Sequence, residues 1–164
     1  MTTWFVFHGV TFDHEFHGGF LWAPSADRDG KRKPDWLAVG EVRRGDVVYS
    51  CRARIITHVL VATADGAAAR RPAPPYPHPD GATSDGNSVA VRYAELPRPR
   101  VALDTIKREA LELFTGPGGP LDQRGHGNMG YLYRLNEGAA EYLRARALRV
   151  FEPELERIRA QALQ

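Results

Sequence analysis

One cysteine, Cys51, is the whole thiol complement of this 164-residue chain. An intrachain disulfide and a thiolate-rich zinc site are therefore excluded, nothing points to an oxidising compartment, and Cys51 itself reads as a buried strand residue. Long apolar runs are missing too. No window reaches the ~18–20 uninterrupted apolar residues of a membrane span, and the start, MTTWFVFHGVTFDHEFH, lacks the charged-then-apolar order of a secretory signal. The expected location is the cytoplasm, with no membrane partner. Charge of one sign is equally scarce: 22 Lys and Arg nearly balance 20 Asp and Glu, leaving +2. The bulk field names no partner, although a few well-placed cations are enough to contact phosphates. The local clusters are Arg28 to Lys33, Arg43 with Arg44, Arg70 with Arg71, and Arg98 with Arg100, each of which also reads as solvated loop charge.

What is present suits a single domain with an ordinary core, at 43% apolar and 10% aromatic residues. Trp4 to Val10 reads as an apolar strand, and the stretch from there to Pro34 as one long loop. Val39 to Arg43 leads into the turn Arg44-Gly45-Asp46. The strands Val47 to Cys51 and Ile55 to Ala64 follow, an antiparallel hairpin expected at the centre of a sheet. Arg71 to Asn87 carries five prolines and reads as loop. Ser88 to Leu96 alternates as a strand, and Leu103 to Phe114 places Leu103, Ile106, Ala110, Leu111 and Phe114 on one helical face. A short strand is expected over Gly130 to Leu135, then a helix capped by Asn136 and running to about Leu148. Beyond Pro153 the pattern predicts a short amphipathic helix with little to bury. The expected organisation is one domain over residues 1–150 and a C-terminal helix or linker over 151–164. Five or six strands with two or three helices give an α+β fold around a curved, partly closed sheet.

Motifs for chemistry are few. His14, Glu15 and His17 have metal-ligand character, but the histidines are three apart beside Gly18-Gly19, where a zinc-peptidase helix needs them four apart. His126-Gly127-Asn128 lacks the setting of an HNH nuclease, and neither a phosphate-binding Gly-rich loop nor a Gly-x-Ser-x-Gly elbow occurs. No catalytic residue, metal or other cofactor is expected. The aromatics are more informative: Phe20 and Trp22 precede Pro24 in the first loop, and Trp36 stands where the sheet resumes. Two readings stay open: these rings lid the core, or they sandwich a base, worth about 1–3 kcal/mol per stacking contact.

The run Gly18-Gly19-Phe20-Leu21-Trp22-Ala23-Pro24, then Asp35-Trp36, then Val42-Arg43-Arg44-Gly45-Asp46-Val47-Val48, resembles the EVE-like domains (PUA superfamily) of modification-dependent, HNH-type restriction endonucleases. Val91-Arg92-Tyr93 with Leu96 and Pro99, and Gly127-Asn128-Met129-Gly130-Tyr131-Leu132-Tyr133 with Leu135-Asn136, continue the likeness to about Leu148. The resemblance implies a PUA-like β-barrel and a pocket for 5-methylcytosine or 5-hydroxymethylcytosine flipped out of double-stranded DNA. It also implies a nuclease domain or subunit as partner and no bond cleavage by this chain. Carried over by position, Trp22 and Trp36 wall the base pocket, Phe20 and Tyr49 support it, and Ser50 and Arg52 meet the base edge or a neighbouring phosphate. Lys31, Arg32, Lys33 and Arg43 join Arg52 along the nucleic-acid backbone. Tyr49 equally suits the core, and Ser50 a hydroxyl that satisfies backbone. Asp46 suits a turn, and Asn128 and Tyr131 fit structural roles better than the pocket rim. Tyr49-Ser50-Cys51-Arg52 departs from relatives that carry a His or Tyr pair there. The alternatives are an RNA-binding module of the same superfold and a small metal-dependent hydrolase around His14, Glu15 and His17.

Overall fold

The computed structural model describes residues 1–147 and 151–164. Strand β1 (Thr3–His8) leads to helix α1 (Phe12–Gly18), strand β2 (Phe20–Pro24), helix α2 (Pro34–Leu37) and a 3-10 turn over Ala38–Glu41. Strands β3 (Val47–Arg52), β4 (Ile55–Ala62), β5 (Ala67–Arg70), β6 (Asp85–Glu95) and β7 (Val101–Ala102) follow. Helices α3 (Leu103–Glu109) and α4 (Leu111–Phe114), strand β8 (Leu132–Arg134), and helices α5 (Glu137–Ala147) and α6 (Glu152–Ala162) complete the described order. The strands form a curled sheet in the order β2-β6-β4-β3-β1-β8, with β5 added to β6 and β7 to β4. The fold class is thus α+β, with β3 and β4 as the expected central antiparallel hairpin. β1 lies parallel to β3, which requires a long crossover, and α1, β2 and α2 are that crossover.

Alternation along the strands divides the core into two layers. Phe5, Tyr49, Val59 and Val61 face outward under α3 to α6, and join Ile106, Phe114, Leu143 and Leu155 in one apolar cluster. Trp4, Val6, Val48, Leu60 and Val91 face the inside of the curl, with Leu21 and Val39 closing over them. Cys51 is buried on β3, and that burial pushes its thiol up to about 12. The two-residue turn Ala53-Arg54 joins β3 to β4 with φ of 51° and 66°, the left-handed geometry that tight hairpins use. Between Ser50 and Cys51 the pairing shifts by one residue, a bulge that leaves Thr57 extra and sets His58 opposite Ser50.

Several sequence expectations need correction. Val10 to Pro34 is not one loop. Phe12 and Glu15, three apart, are the buried positions of α1, and Phe20–Pro24 pairs with β6 from Phe20↔Ala90 to Pro24↔Gly86. Gly19 ends α1 with φ 69°, its amide donating to the Glu15 carbonyl, a stop signal that the Gly18-Gly19 pair carries. Leu103 to Phe114 breaks into two helices at Ala110, whose φ of −153° with ψ of 30° lies outside the helical region. Asn136 does cap α5, accepting the Ala139 amide at 2.8 Å. Leu148 and the expected boundary at residue 150 lie outside the described residues. The last helix has much to bury: Leu155, Ile158 and Ala162 enter the outer core, and Arg44 Nε donates to the Ala162 carbonyl at 2.5 Å. None of the helices is long and apolar enough to cross a membrane among the described residues.

Candidate functional site

At the end of the sheet where β1 finishes, a cavity of about 80 Å³ is lined by Thr11, Trp22, Ala23, Pro24, Trp36, Tyr76, Pro79 and Tyr131. The structure thus brings Trp22 and Trp36 together and adds two tyrosines to them. Trp22 reaches this place from β2 rather than from a loop. Its indole N–H donates to the Ala69 carbonyl on β5 at 3.0 Å, and its ring meets Tyr76 edge-on at 5.9 Å. Gly86 on the paired strand makes room: a Cβ there would stand 2.7 Å from the Trp22 ring and 2.2 Å from the Ala23 carbonyl. Trp36 is half-buried on α2, one ring face covered by the Lys33 ammonium at 4.5 Å. Asp35 accepts the Tyr131 amide at 2.8 Å and so ties α2 to the segment that carries Tyr131.

Beneath the cavity lies Glu15, fully buried. Its Oε2 accepts the Thr11 hydroxyl at 2.7 Å, and its Oε1 accepts the Trp22 amide at 3.1 Å, the Tyr76 hydroxyl at 3.4 Å and the Tyr131 hydroxyl. A buried carboxylate is tolerable only when it is met by donors in this way, and a carboxylate's oxygens offer about four lone-pair sites. Behind it, His8 Nδ1 and Ser50 Oγ stand 2.6 Å apart. His8 Nε2 comes within 3.1 Å of Glu15 Oε2, close enough for an ion pair, yet it makes no aligned hydrogen bond and remains a buried nitrogen without a directed partner. Burial first, and then the Glu15 charge, push the Tyr76, Tyr93 and Tyr131 hydroxyls well above the usual phenol range. All three stay protonated at any physiological pH.

A second aromatic group backs the first. Phe12 and Phe16 stack at 5.5 Å, and His58 and Tyr93 pack against them. Burial lowers the basicity of His58.

The remaining predicted residues scatter. Phe20 is half-buried behind Tyr76, with ring centres 6.1 Å apart, and its carbonyl accepts the Tyr93 hydroxyl at 3.2 Å. Tyr49 cannot share the pocket: strand alternation turns it to the outer face of the sheet, among Phe5 and Leu155, where burial raises its hydroxyl as well. Ser50 faces inward but touches His8 instead of the cavity. Ser50, His8 and Glu15 have the makings of a nucleophile, base and carboxylate, but Ser50 is completely enclosed, so no substrate carbonyl reaches its Oγ. Arg52 lies over the Phe12 ring at 4.4 Å and beside Asp13 at 3.9 Å, near the α1 end of the rim. Lys31 and Arg32 are exposed in the loop before Trp36. Arg43 belongs to the opposite end of β1, in the turn where Asp46 accepts the amides of Thr2 and Arg43 and the Trp4 indole. Asp46 is a turn anchor, as expected.

His14, Glu15 and His17 diverge. His14 packs on Tyr76 at 5.9 Å, and exposed His17 turns back to the Asp13 carbonyl at 2.7 Å. No group of three His, Cys, Asp or Glu side chains positioned for a metal occurs among the described residues. Sequence reasoning does not single out His8 or Tyr76, and assigns Tyr131 a structural role. One signal for Glu15 exists: it stands three residues after Phe12 and one before Phe16, a carboxylate at an apolar helical position.

Neither a family model nor a curated protein matches the chain. Solved structures do. The solution structure of Rpa0253 from Rhodopseudomonas palustris superposes with a TM-score of 0.57 at 12% identity, covering 92% of this chain and 95% of that one. A Pseudomonas putida crystal structure gives 0.57 at 14% identity, over 87% of this chain and 97% of its own. PSPTO5229 from Pseudomonas syringae gives 0.57 at 11%, over 87% and 99%. At such identities the likeness is one of fold, and it spans nearly the full length of each neighbour.

Proposed function

We propose that this chain is a PUA-like, EVE-type reader that holds one modified cytosine, 5-methylcytosine or 5-hydroxymethylcytosine, extruded from double-stranded DNA, and that it cleaves no bond itself. Cleavage belongs to a partner nuclease domain or subunit. The observation that carries this reading is the convergence of Trp22, Trp36, Tyr76 and Tyr131 on one small cavity above a buried carboxylate.

The energies are of the right order. Stacking on an aromatic wall is worth about 1–3 kcal/mol per base, which offsets much of the few kcal/mol that flipping costs. At about 80 Å³ the cavity is far below the roughly 300–1,000 Å³ that encloses drug-sized ligands, so its scale is that of one small ring, not a nucleoside. Trp36 is half-buried, whereas Trp22 and Tyr76 are buried. Cations near the cavity are available to meet phosphates: Lys33 over the Trp36 ring, Lys31 and Arg32 before it in sequence, and Arg52 over the Phe12 ring of α1. A methyl group adds only about 0.8 kcal/mol when buried, roughly fourfold, so discrimination needs a close fit.

Fluorescence-polarisation titration tests this with a duplex bearing cytosine, 5-methylcytosine or 5-hydroxymethylcytosine at one position. Tighter binding of a modified duplex, lost in Trp36→Ala, is the expected result. Trp36 is chosen because Trp22 is a core residue whose removal damages folding. Equal, salt-sensitive binding to all three duplexes, unchanged by Trp36→Ala, overturns the proposal; tighter binding to RNA of the same sequence replaces it with the RNA reading.

A further inference from the structure

Three of the residues that line the cavity, Thr11, Tyr76 and Tyr131, carry a hydroxyl. A hydroxyl has one proton to donate and lone pairs with which to accept. Here all three protons are taken up by acceptors inside the protein: Thr11 donates to Glu15 Oε2 at 2.7 Å, Tyr131 to Oε1, and Tyr76 is shared between Oε1 at 3.4 Å and the Trp22 carbonyl at 3.5 Å. The nearby N–H groups of Trp22 are committed as well, the amide to Glu15 at 3.1 Å and the indole to the Ala69 carbonyl at 3.0 Å. What these hydroxyls have left for a guest is lone pairs. Burial keeps the Tyr76 and Tyr131 phenols un-ionised.

We infer that Glu15 locks the Thr11, Tyr76 and Tyr131 hydroxyls as hydrogen-bond acceptors, so that the pocket selects a pyrimidine with an exocyclic amino group and rejects one with a carbonyl at that position. The inference rests on the base-pocket reading and adds its specificity-determining residues. Cytosine and its 5-substituted forms present a 4-amino donor to such a wall. Thymine presents a 4-carbonyl, and its one N–H is flanked by carbonyls on both sides, so acceptor faces acceptor. Leaving a buried polar group unpaired is the strongest discrimination a small site has, and about tenfold or more is expected against thymine. Glu15 itself acts through the hydroxyls, as a positioning residue.

The test compares 5-methylcytosine with thymine, which share the methyl group and differ in the 4-substituent and in the proton on N3. Each is placed opposite an abasic site in one duplex, so that unpairing costs the two equally little. Wild type is expected to bind the 5-methylcytosine duplex about tenfold or more tightly, and Tyr131→Phe, which keeps the ring and removes an acceptor, to bring the ratio within about threefold. Thermal unfolding of the variant confirms that it is folded; Thr11→Val provides a second removal of an acceptor. Equal binding of both duplexes by wild type, with Trp36→Ala weakening both, overturns the acceptor wall and leaves the base pocket standing. Binding indifferent to Trp36 overturns both.

Discussion

His58 has the clearest individual pH signature. Burial makes its ring less ready to take a proton in the folded chain than the ordinary value of 6.5. Above that pH both folded and unfolded states are neutral there and the residue adds no pH dependence. Below it, the unfolded chain takes up a proton that the native ring refuses, so stability falls as pH drops from 6.5 towards the lower native value. The melting temperature of wild type is therefore expected to decline from pH 7.5 to pH 5, with a shallower decline in His58→Gln over the same window. Identical slopes in the two proteins would show that His58 does not titrate across it.

Single residues also show what can be read without a structure. Trp22 and Trp36 stand out because large rings in Gly- and Pro-rich surroundings have no periodic partner, and the cavity brings them together. Tyr49 and Ser50 are adjacent in sequence and so must face opposite ways on a strand, but period-two alternation does not say which face holds the site. Tyr76 is a lone ring among prolines, and its role is set by Glu15, 61 residues away. Pattern reading reports neighbours on one element; a hydrogen bond between a helix and a distant loop leaves no periodic trace.

Elements with local causes were the legible ones. The β3–β4 hairpin and the Asn136 cap follow from alternation and from side-chain chemistry within a few residues. Helix α1 is only seven residues long, too short for periodicity to distinguish from loop, and it holds its shape by burying Phe12 and Glu15. The hairpin turn, in contrast, is built against local preference. Ala53 and Arg54 both occupy left-handed backbone conformations that Asn and Gly accept more easily. The double substitution Ala53→Asn, Arg54→Gly is expected to stabilise the domain by about 1 kcal/mol, read as a higher urea midpoint. The lost Arg54–Asp104 contact at 2.9 Å is solvent-exposed and offsets only a small part of this. An unchanged or lower midpoint would show that the turn is not strained.

At the scale of the molecule, the last helix is part of the domain it follows. Leu155, Ile158 and Ala162 fill the outer core, and Arg44 and Arg159 bind the helix end to the turn before β3. Composition made this segment look free because its charged residues outnumber the few apolar ones, but those few fall on one face. Leu155→Ala is expected to cost about 2–5 kcal/mol in chemical unfolding. A cost near zero would mean that the helix detaches readily.

The parallel pairing of β1 with β3, and the antiparallel pairing of Trp4 with Arg134, put the first strand between two partners made later. Protein synthesis at about 5–20 residues per second places roughly six to twenty-six seconds between the emergence of Trp4 and that of Arg134. Through that interval Trp4-Phe5-Val6-Phe7 is an apolar strand that lacks at least one of its two neighbours, the kind of segment that chaperones hold and that aggregates when they do not. The nascent chain is thus most exposed to misassembly at β1, and slowing translation would lengthen that exposure.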